Sequence, residues 1–202
     1  MYLVKTPPYL KRLLSGLTWE ITGSDEVYLT FDDGPVPGVT DKVLDLLRAA
    51  DKKATFFCIG DNVRKSPALY QRILDEGHRV GNHTYHHVNG WRTSTDAYVE
   101  DAGRCAELVN SGLFRPPYGR ITLSQFKVLQ PMYKVIMWDV LSGDFDEALD
   151  AAACTRNVLE NYSRGSIIVF HDSEKAAPRM LPALEAVLQD MQQKNLDAGL
   201  IP

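Results

Sequence analysis

Little in this sequence points toward nucleic acid, a membrane or a disulfide framework. Three cysteines occur in 202 residues, Cys58, Cys105 and Cys154, widely spaced and without a CxxC pair. An odd, scattered set of this kind argues against a stapled secreted scaffold and fits buried free thiols in a reducing compartment. Positive charge is not in excess: 22 Lys and Arg stand against 26 Asp and Glu, for a net charge of −4. With no basic run either, nucleic acid is not an expected partner. No stretch reaches the ~18 apolar residues of a membrane-spanning helix. The N-terminal MYLVKTPPYLKRLLSGLTW is apolar only in patches, broken by Lys5, Pro7, Pro8, Lys11 and Arg12, and lacks the apolar core of a secretory signal. The default expectation is a cytoplasmic protein, with cell-envelope association open if an export signal was trimmed. Repeats, low-complexity tracts and linkers are also missing, which predicts a single domain.

What the chain does have is an alternation of short apolar runs with amphipathic stretches. Val27 to Phe31 is mostly β-branched and aromatic and predicts a strand covered on both faces. Further strands are predicted at 54–59, 78–82, 113–114, 133–138 and 166–170, with a possible seventh at 199–201. Helices are predicted at 8–17, 40–50 with Thr40 as N-cap, 66–77 with Ser66 as cap, 95–109, 123–129, 146–161 and 178–193. Strand–helix alternation of this length implies a parallel sheet with helices outside, either a barrel or an open doubly wound sheet. Residues 1–24 read as an N-terminal extension packing on the domain, through the apolar spacing of Leu10, Leu13, Leu14 and Leu17, or else lying on a membrane surface. Residues 25–202 form the domain itself.

Ionisable residues gather where predicted strands end: Asp32 and Asp33, His83, Arg115, Asp139 with Asp144, and His171. In α/β folds that rim carries the ligands. Asp32-Asp33-Gly34-Pro35 by itself could be an ordinary turn. Adjacent strand residues point to opposite sides, so one carboxylate can face a metal and the other a reacting water. His83 and His87 are four apart in HTYHH and share a face on a helical turn, so both can reach one ion if a carboxylate joins them. His86 reads better as a loop residue. Arg115-Pro116-Pro117-Tyr118-Gly119 is a stiff loop, suited to preorganising the Tyr118 backbone N–H for a developing oxyanion. Arg115 can hold a carboxylate ionised. His171, next to a carboxylate such as Asp144, can be kept protonated as an acid.

Taken together, TFDDGP, HTYHH, RPPYG, WDVLSGDF and VFH resemble, in order and spacing, the polysaccharide deacetylases, carbohydrate esterases that share the NodB homology domain. The resemblance spans residues 26–188. It implies a distorted TIM-like (β/α) barrel of seven or eight strands and hydrolysis of N-acetyl groups from amino-sugar oligo- or polysaccharides of chitin or peptidoglycan type. It implies Asp33, His83 and His87 as ligands of a divalent metal, zinc first, with cobalt or manganese as alternatives. Asp32 would be the general base, oriented by Arg115. The Tyr118 amide would bind the oxyanion, His171 tuned by Asp144 would be the general acid, and Val169 would line the acetyl pocket. The expected partner is an N-acetylated amino sugar, and the expected state a monomer. One segment departs from the pattern: where the fourth motif usually reads Asp-x-x-Asp-Trp, this chain has Leu141 and Phe145. That leaves room for an amidase of the same fold acting on another N-acyl or cyclic amide, or for a non-catalytic carbohydrate-binding module.

Overall fold

The computed structural model describes residues 2–202. Seven strands form one sheet: β1 Tyr28–Asp32, β2 Thr55–Cys58, β3 Arg79–Asn82, β4 Leu113–Phe114, β5 Lys134–Val135, β6 Val140–Leu141 and β7 Ile167–His171. Their order is β5-β4-β3-β2-β1-β7-β6, with every ladder parallel. Eight helices alternate with them among the described residues: α1 Pro8–Leu13, α2 Thr40–Ala49, α3 Gly60–Lys65, α4 Pro67–Asp75, α5 Thr95–Ala106, α6 Leu123–Leu129, α7 Ala151–Leu159 and α8 Ala177–Gln193. The expected distorted barrel is what the chain forms, a curled half-barrel whose two edge strands do not pair with each other.

β1 is central and buried along its whole length, as its run of β-branched and aromatic residues requires. Alternate residues serve two layers. Leu29 and Phe31 face the helices, where Phe31 stacks on Phe56 at 5.0 Å and on Phe170 at 5.8 Å. Tyr28 joins Phe57, Leu113, Ile136, Ile167 and Ile201 in a second cluster. Several helices start where the local sequence supplies an acceptor. Ser94 Oγ accepts from Ala97 N, Asp150 Oδ1 from Ala153 N, and Thr122 with Gln125 forms a capping box.

The N-terminal segment occupies the gap between the two edge strands. Thr18 donates to the Val135 carbonyl at 2.9 Å and accepts from Met137 at 2.7 Å, on the β5 side. On the β6 side, Leu141 N donates to the Val4 carbonyl and Thr6 N to the Asp139 carbonyl, both at 2.8 Å. Asp139 is 1% exposed and is held by Lys5, Lys11 and Ser166.

Several expectations need correction. Of the strand expected at 133–138 only Lys134–Val135 is strand; the chain then bridges Thr18 at Ile136 and crosses to start β6 at Val140 on the opposite edge. Residues 199–201 add no strand; the chain end makes one bridge, Val27 to Ala198. Thr40 is not a capping residue: Val39 holds the N-cap position, and the Thr40 hydroxyl is engaged with Asp172. Helix α1 is shorter than expected and has no fully buried residue; Leu13 and Leu14 are exposed, while Leu17, beyond the helix end, packs against the cluster of Tyr98, Phe114 and Leu129. α3 was not expected; Asp61 in its first turn pairs with Arg64 and Lys65 in its last. Asp139 does not belong to the rim. Its N–H donates to the carbonyl of Ile167, the first residue of β7, which puts it at the amino end of the sheet.

His78, just before β3, is 6% exposed. Its Nδ1 accepts from Ala54 N at 3.2 Å, so the ring is neutral. Burial, aided by the nearby Lys53 charge, pushes its pKa down from 6.5 to about 4. The unfolded chain therefore binds the extra proton between those values. The His78 contribution is fully present above pH ~6.5 and is lost as pH falls toward 4, amounting to about 3 kcal/mol. In urea unfolding, the loss of stability between pH 7 and pH 4.5 should be smaller in His78→Gln than in the parent. Equal losses would contradict this account.

Candidate active site

Asp32 ends β1 beside His171 of β7, its direct partner in the ladder. Thr30, two residues earlier, shares its face. Between them enters Arg115, fully buried, from the end of β4. Arg115 Nη1 donates to Asp32 Oδ1 and Thr30 Oγ1, each at 2.7 Å; Nη2 donates to the Met137 carbonyl at 2.9 Å and Nε to that of Ile136 at 3.3 Å. The guanidinium also lies 4.1 Å above the Phe57 ring. Burial alone would weaken the Arg115 charge; Asp32 opposes that. One Asp32 oxygen is thus committed, and Oδ2 faces inward, 4.0 Å from His83 Nε2.

Asp33 follows with φ of 85°, and its carboxylate enters the same cavity as that of Asp32, each within about 4 Å of His83 Nε2. A carboxylate behind the turn holds this shape. Asp172, fully buried, accepts from Gly34 N at 2.9 Å and from the Thr40 hydroxyl at 2.5 Å, while its own N–H donates to the Asp32 carbonyl. Gly34 has no alternative here, since a Cβ would lie 2.0 Å from Asp172 Oδ2. Burial pushes the Asp172 pKa up to about 8.

His83 and His87 sit on a turn after β3. The helical turn expected for HTYHH is absent: Thr84 and His87 adopt φ of 61° and 57°, and the rings still come within 5.1 Å of each other. His83 Nδ1 donates to the Arg115 carbonyl at 2.7 Å, which fixes its tautomer and leaves the Nε2 lone pair free. Burial, with the His87 charge adding to it, holds His83 well below the usual histidine range. Asp33 Oδ1 lies 3.3 Å from His87 Nε2 and 3.8 Å from His83 Nε2. Donor atoms of the three residues lie within 4.8 Å of one another.

A divalent ion fits this set. Asp33 Oδ1 is buried without a hydrogen-bond partner among the described residues, a costly arrangement unless a cation completes it. Two neutral imidazoles and one carboxylate are a donor set suited to a catalytic divalent metal with open positions. His86 stands apart: it is exposed and its Nδ1 engages Asp101 at 2.6 Å.

Across from Asp32, the buried Asp144 grips His171 twice. Oδ2 accepts the His171 backbone N–H at 2.8 Å and Oδ1 engages Nδ1 at 2.7 Å. Arg179 Nε in turn donates to the Asp144 carbonyl. Burial pushes the His171 pKa down, but the Asp144 charge and hydrogen bond outweigh it and the value rises from 6.5 to about 9. Tyr118 adopts φ of 60°, and its ring lies 4.5 Å from that of His87. Gly119 and Arg120 close the turn by donating to the carbonyls of Pro116 and Pro117. Asp32, Asp33, His83, His87, Tyr118 and His171 line a cavity of about 470 Å³, walled also by Tyr2, Arg120, Trp138, Leu141, Phe145 and Lys175.

The structure therefore brings together Asp32, Asp33, His83, His87, Arg115, Tyr118, Asp144 and His171. Val169 is fully buried; its ladder partner Leu141 is the residue that lines the cavity. Three participants escaped the sequence. Asp172 reads there as the tail of a strand, and Thr40 as a helix cap. Tyr2 carries no motif at all, and only the backbone pairing of the N-terminal segment brings it to the rim.

The family model described as polysaccharide deacetylase matches residues 20–132. A peptidoglycan-N-acetylglucosamine deacetylase of Bacillus cereus is 39% identical over 185 residues, covering 88% of this chain and 67% of that protein. A chitooligosaccharide deacetylase of Azorhizobium caulinodans is 33% identical over 154 residues, covering 72% of this chain and 73% of its own. The crystal structure of the Bc1960 peptidoglycan N-acetylglucosamine deacetylase, in complex with 4-naphthalen-1-yl-N-oxidanyl-benzamide, superimposes with a TM-score of 0.89 at 31% identity, covering 98% of this chain and 96% of that one. With the family model spanning more than half of its length and these relatives aligned along most of it, the chain belongs to the polysaccharide deacetylase family.

Proposed function

We propose that this protein hydrolyses N-acetyl groups of amino-sugar oligo- or polysaccharides, using a divalent metal and releasing acetate. The observation that carries this reading is the juxtaposition of the Asp33–His83–His87 group with a separate, Arg115-paired Asp32 and an Asp144-paired His171 in one cavity. When bound by Asp33, His83 and His87, a divalent ion, zinc before cobalt or manganese, supplies Lewis acidity toward the acetyl carbonyl and water.

The remaining work falls to side chains and one backbone amide. Asp32, its outer oxygen tied to Arg115, presents Oδ2 to take a proton from the attacking water. Tyr118 donates its N–H to the oxyanion that develops on the carbonyl. His171, kept protonated by Asp144, gives its proton to the departing nitrogen, because an amide nitrogen leaves poorly as an anion. Water and the amide thus yield acetate and a free amine. The peptidoglycan and chitooligosaccharide names of the relatives support both polymers as substrates. A peptidoglycan substrate would place the reaction at the cell envelope. No described helix is long and apolar enough to cross a membrane.

The test is acetate release from N-acetylglucosamine oligomers of graded length, before and after chelation. Release that stops on chelation and returns with the ion is expected. Metal-loaded protein that releases no acetate from any length would overturn the proposal. A second reading, cleavage of another N-acyl or cyclic amide, draws on Leu141 and Phe145, which depart from the family pattern and both line the cavity; acetate release from the oligomers would count against it.

The acid role also fixes a pH dependence. His171 must be protonated, so the alkaline limb of kcat/KM should fall as pH rises through about 9. Asp144→Asn removes the charge that raises this value, so the alkaline limb should move down by at least one pH unit. A limb that stays in place would remove His171 from the acid role.

A further inference from the structure

We propose that Tyr2, delivered by the N-terminal segment, is a substrate-contacting residue that extends the aromatic wall of the cavity and sets how tightly a sugar is held there. This rests on the deacetylase reading above. The segment is not a loose tail. Lys5 bridges Val140 in antiparallel sense, and Val4 accepts from Leu141 N. Thr6 donates through its N–H to Asp139 and through Oγ1 to the Trp138 carbonyl, each at 2.8 Å. Lys5 Nζ, anchored on the buried Asp139 and on the Asn161 carbonyl at 2.7 Å, locks the register.

Antiparallel pairing carries the chain from Lys5 toward the carboxyl end of β6, which is the rim of the cavity. It reaches Tyr2 beside Gly143, where a Cβ added to the glycine would lie 2.8 Å from the Tyr2 hydroxyl. That hydroxyl donates to Asp146 Oδ2 at 3.1 Å and fixes the ring. The ring packs on Phe145 at 5.0 Å, and Phe145 meets the His171 ring edge-on at 5.3 Å. Tyr2, Phe145, Leu141 and Trp138 all line the same cavity. Phe145 is smaller than the tryptophan of the family pattern. Tyr2 adds a second aromatic ring beside it, against which the C–H face of a sugar ring or the acetamide methyl can pack.

The test uses the Asp32→Asn protein, which holds substrate without consuming it, and titration calorimetry with the N-acetylglucosamine tetramer. Adding Tyr2→Ala should raise Kd about tenfold, the scale of one lost aromatic contact. Adding Tyr2→Phe, which keeps the ring, should change Kd by less than about threefold. Both should bind zinc as their parent does, which shows that the core of the site is intact. An unchanged Kd in Tyr2→Ala, or equal weakening by Tyr2→Ala and Tyr2→Phe, would overturn the proposal. If the unmodified protein binds the tetramer yet releases no acetate, the deacetylase reading fails while these Kd values still decide the role of Tyr2. An unmodified protein that binds no tetramer would overturn the role of Tyr2, while acetate release decides the deacetylase reading.

Discussion

Asp32→Asn is expected to lower turnover on N-acetylated sugar oligomers by about 10²- to 10⁴-fold, the usual worth of a positioned general base. The substitution is nearly isosteric. The amide that replaces the carboxylate can still accept from Arg115 through its one oxygen, so the 2.7 Å contact has a surviving counterpart. What vanishes is the basic oxygen directed at the cavity. Because Asp33, His83 and His87 form the metal group without Asp32, the variant should still bind one divalent ion. A variant with near-normal turnover would remove Asp32 from the base role. A variant that loses the ion would make Asp32 a ligand instead.

Arg115→Met is expected to cost about 3–5 kcal/mol of folding stability, the scale of a buried ion pair stripped of one member. Arg115 is the largest fully buried side chain of the protein. Without its guanidinium, Asp32 remains 3% exposed with no countercharge on Oδ1. The Ile136 and Met137 carbonyls and the Thr30 hydroxyl lose a donor at the same time. The damage should not be additive. In an Arg115→Met, Asp32→Asn protein the buried charge is gone, so the double variant should unfold at higher urea than the two separate losses would add up to. Urea midpoints of the four proteins measure this. A loss below about 1 kcal/mol in Arg115→Met would mean that the pair is not the buried support the geometry describes.

Much of the site was readable because its chemistry is concentrated in side chains next to strand ends. Asp32 follows a β-branched and aromatic run that could only be a central strand, and Asp33, His83 and His171 end or follow strands in the same way. The sheet order was not readable, since β4, β5 and β6 are two residues long and carry no periodicity to distinguish them from loop. The HTYHH segment shows a subtler limit. Spacing of four fits a helix, yet the rings meet through residues in left-handed conformation, which sequence periodicity does not encode. Asp172 was hidden for a different reason. Its function lies in hydrogen bonds to Gly34 N and Thr40, more than 130 residues away in the chain. Asp139 resembled a rim carboxylate by its place after an apolar run; its partners Lys5, Lys11 and Ser166 lie at the other end of the sheet.

The most direct test is equilibrium zinc binding by the unmodified protein, Asp33→Ala and Asp32→Asn, side by side. One ion per chain in the unmodified protein and in Asp32→Asn, with affinity reduced at least a hundredfold in Asp33→Ala, is the predicted result. Unchanged affinity in Asp33→Ala would contradict the division of labour between the two adjacent carboxylates.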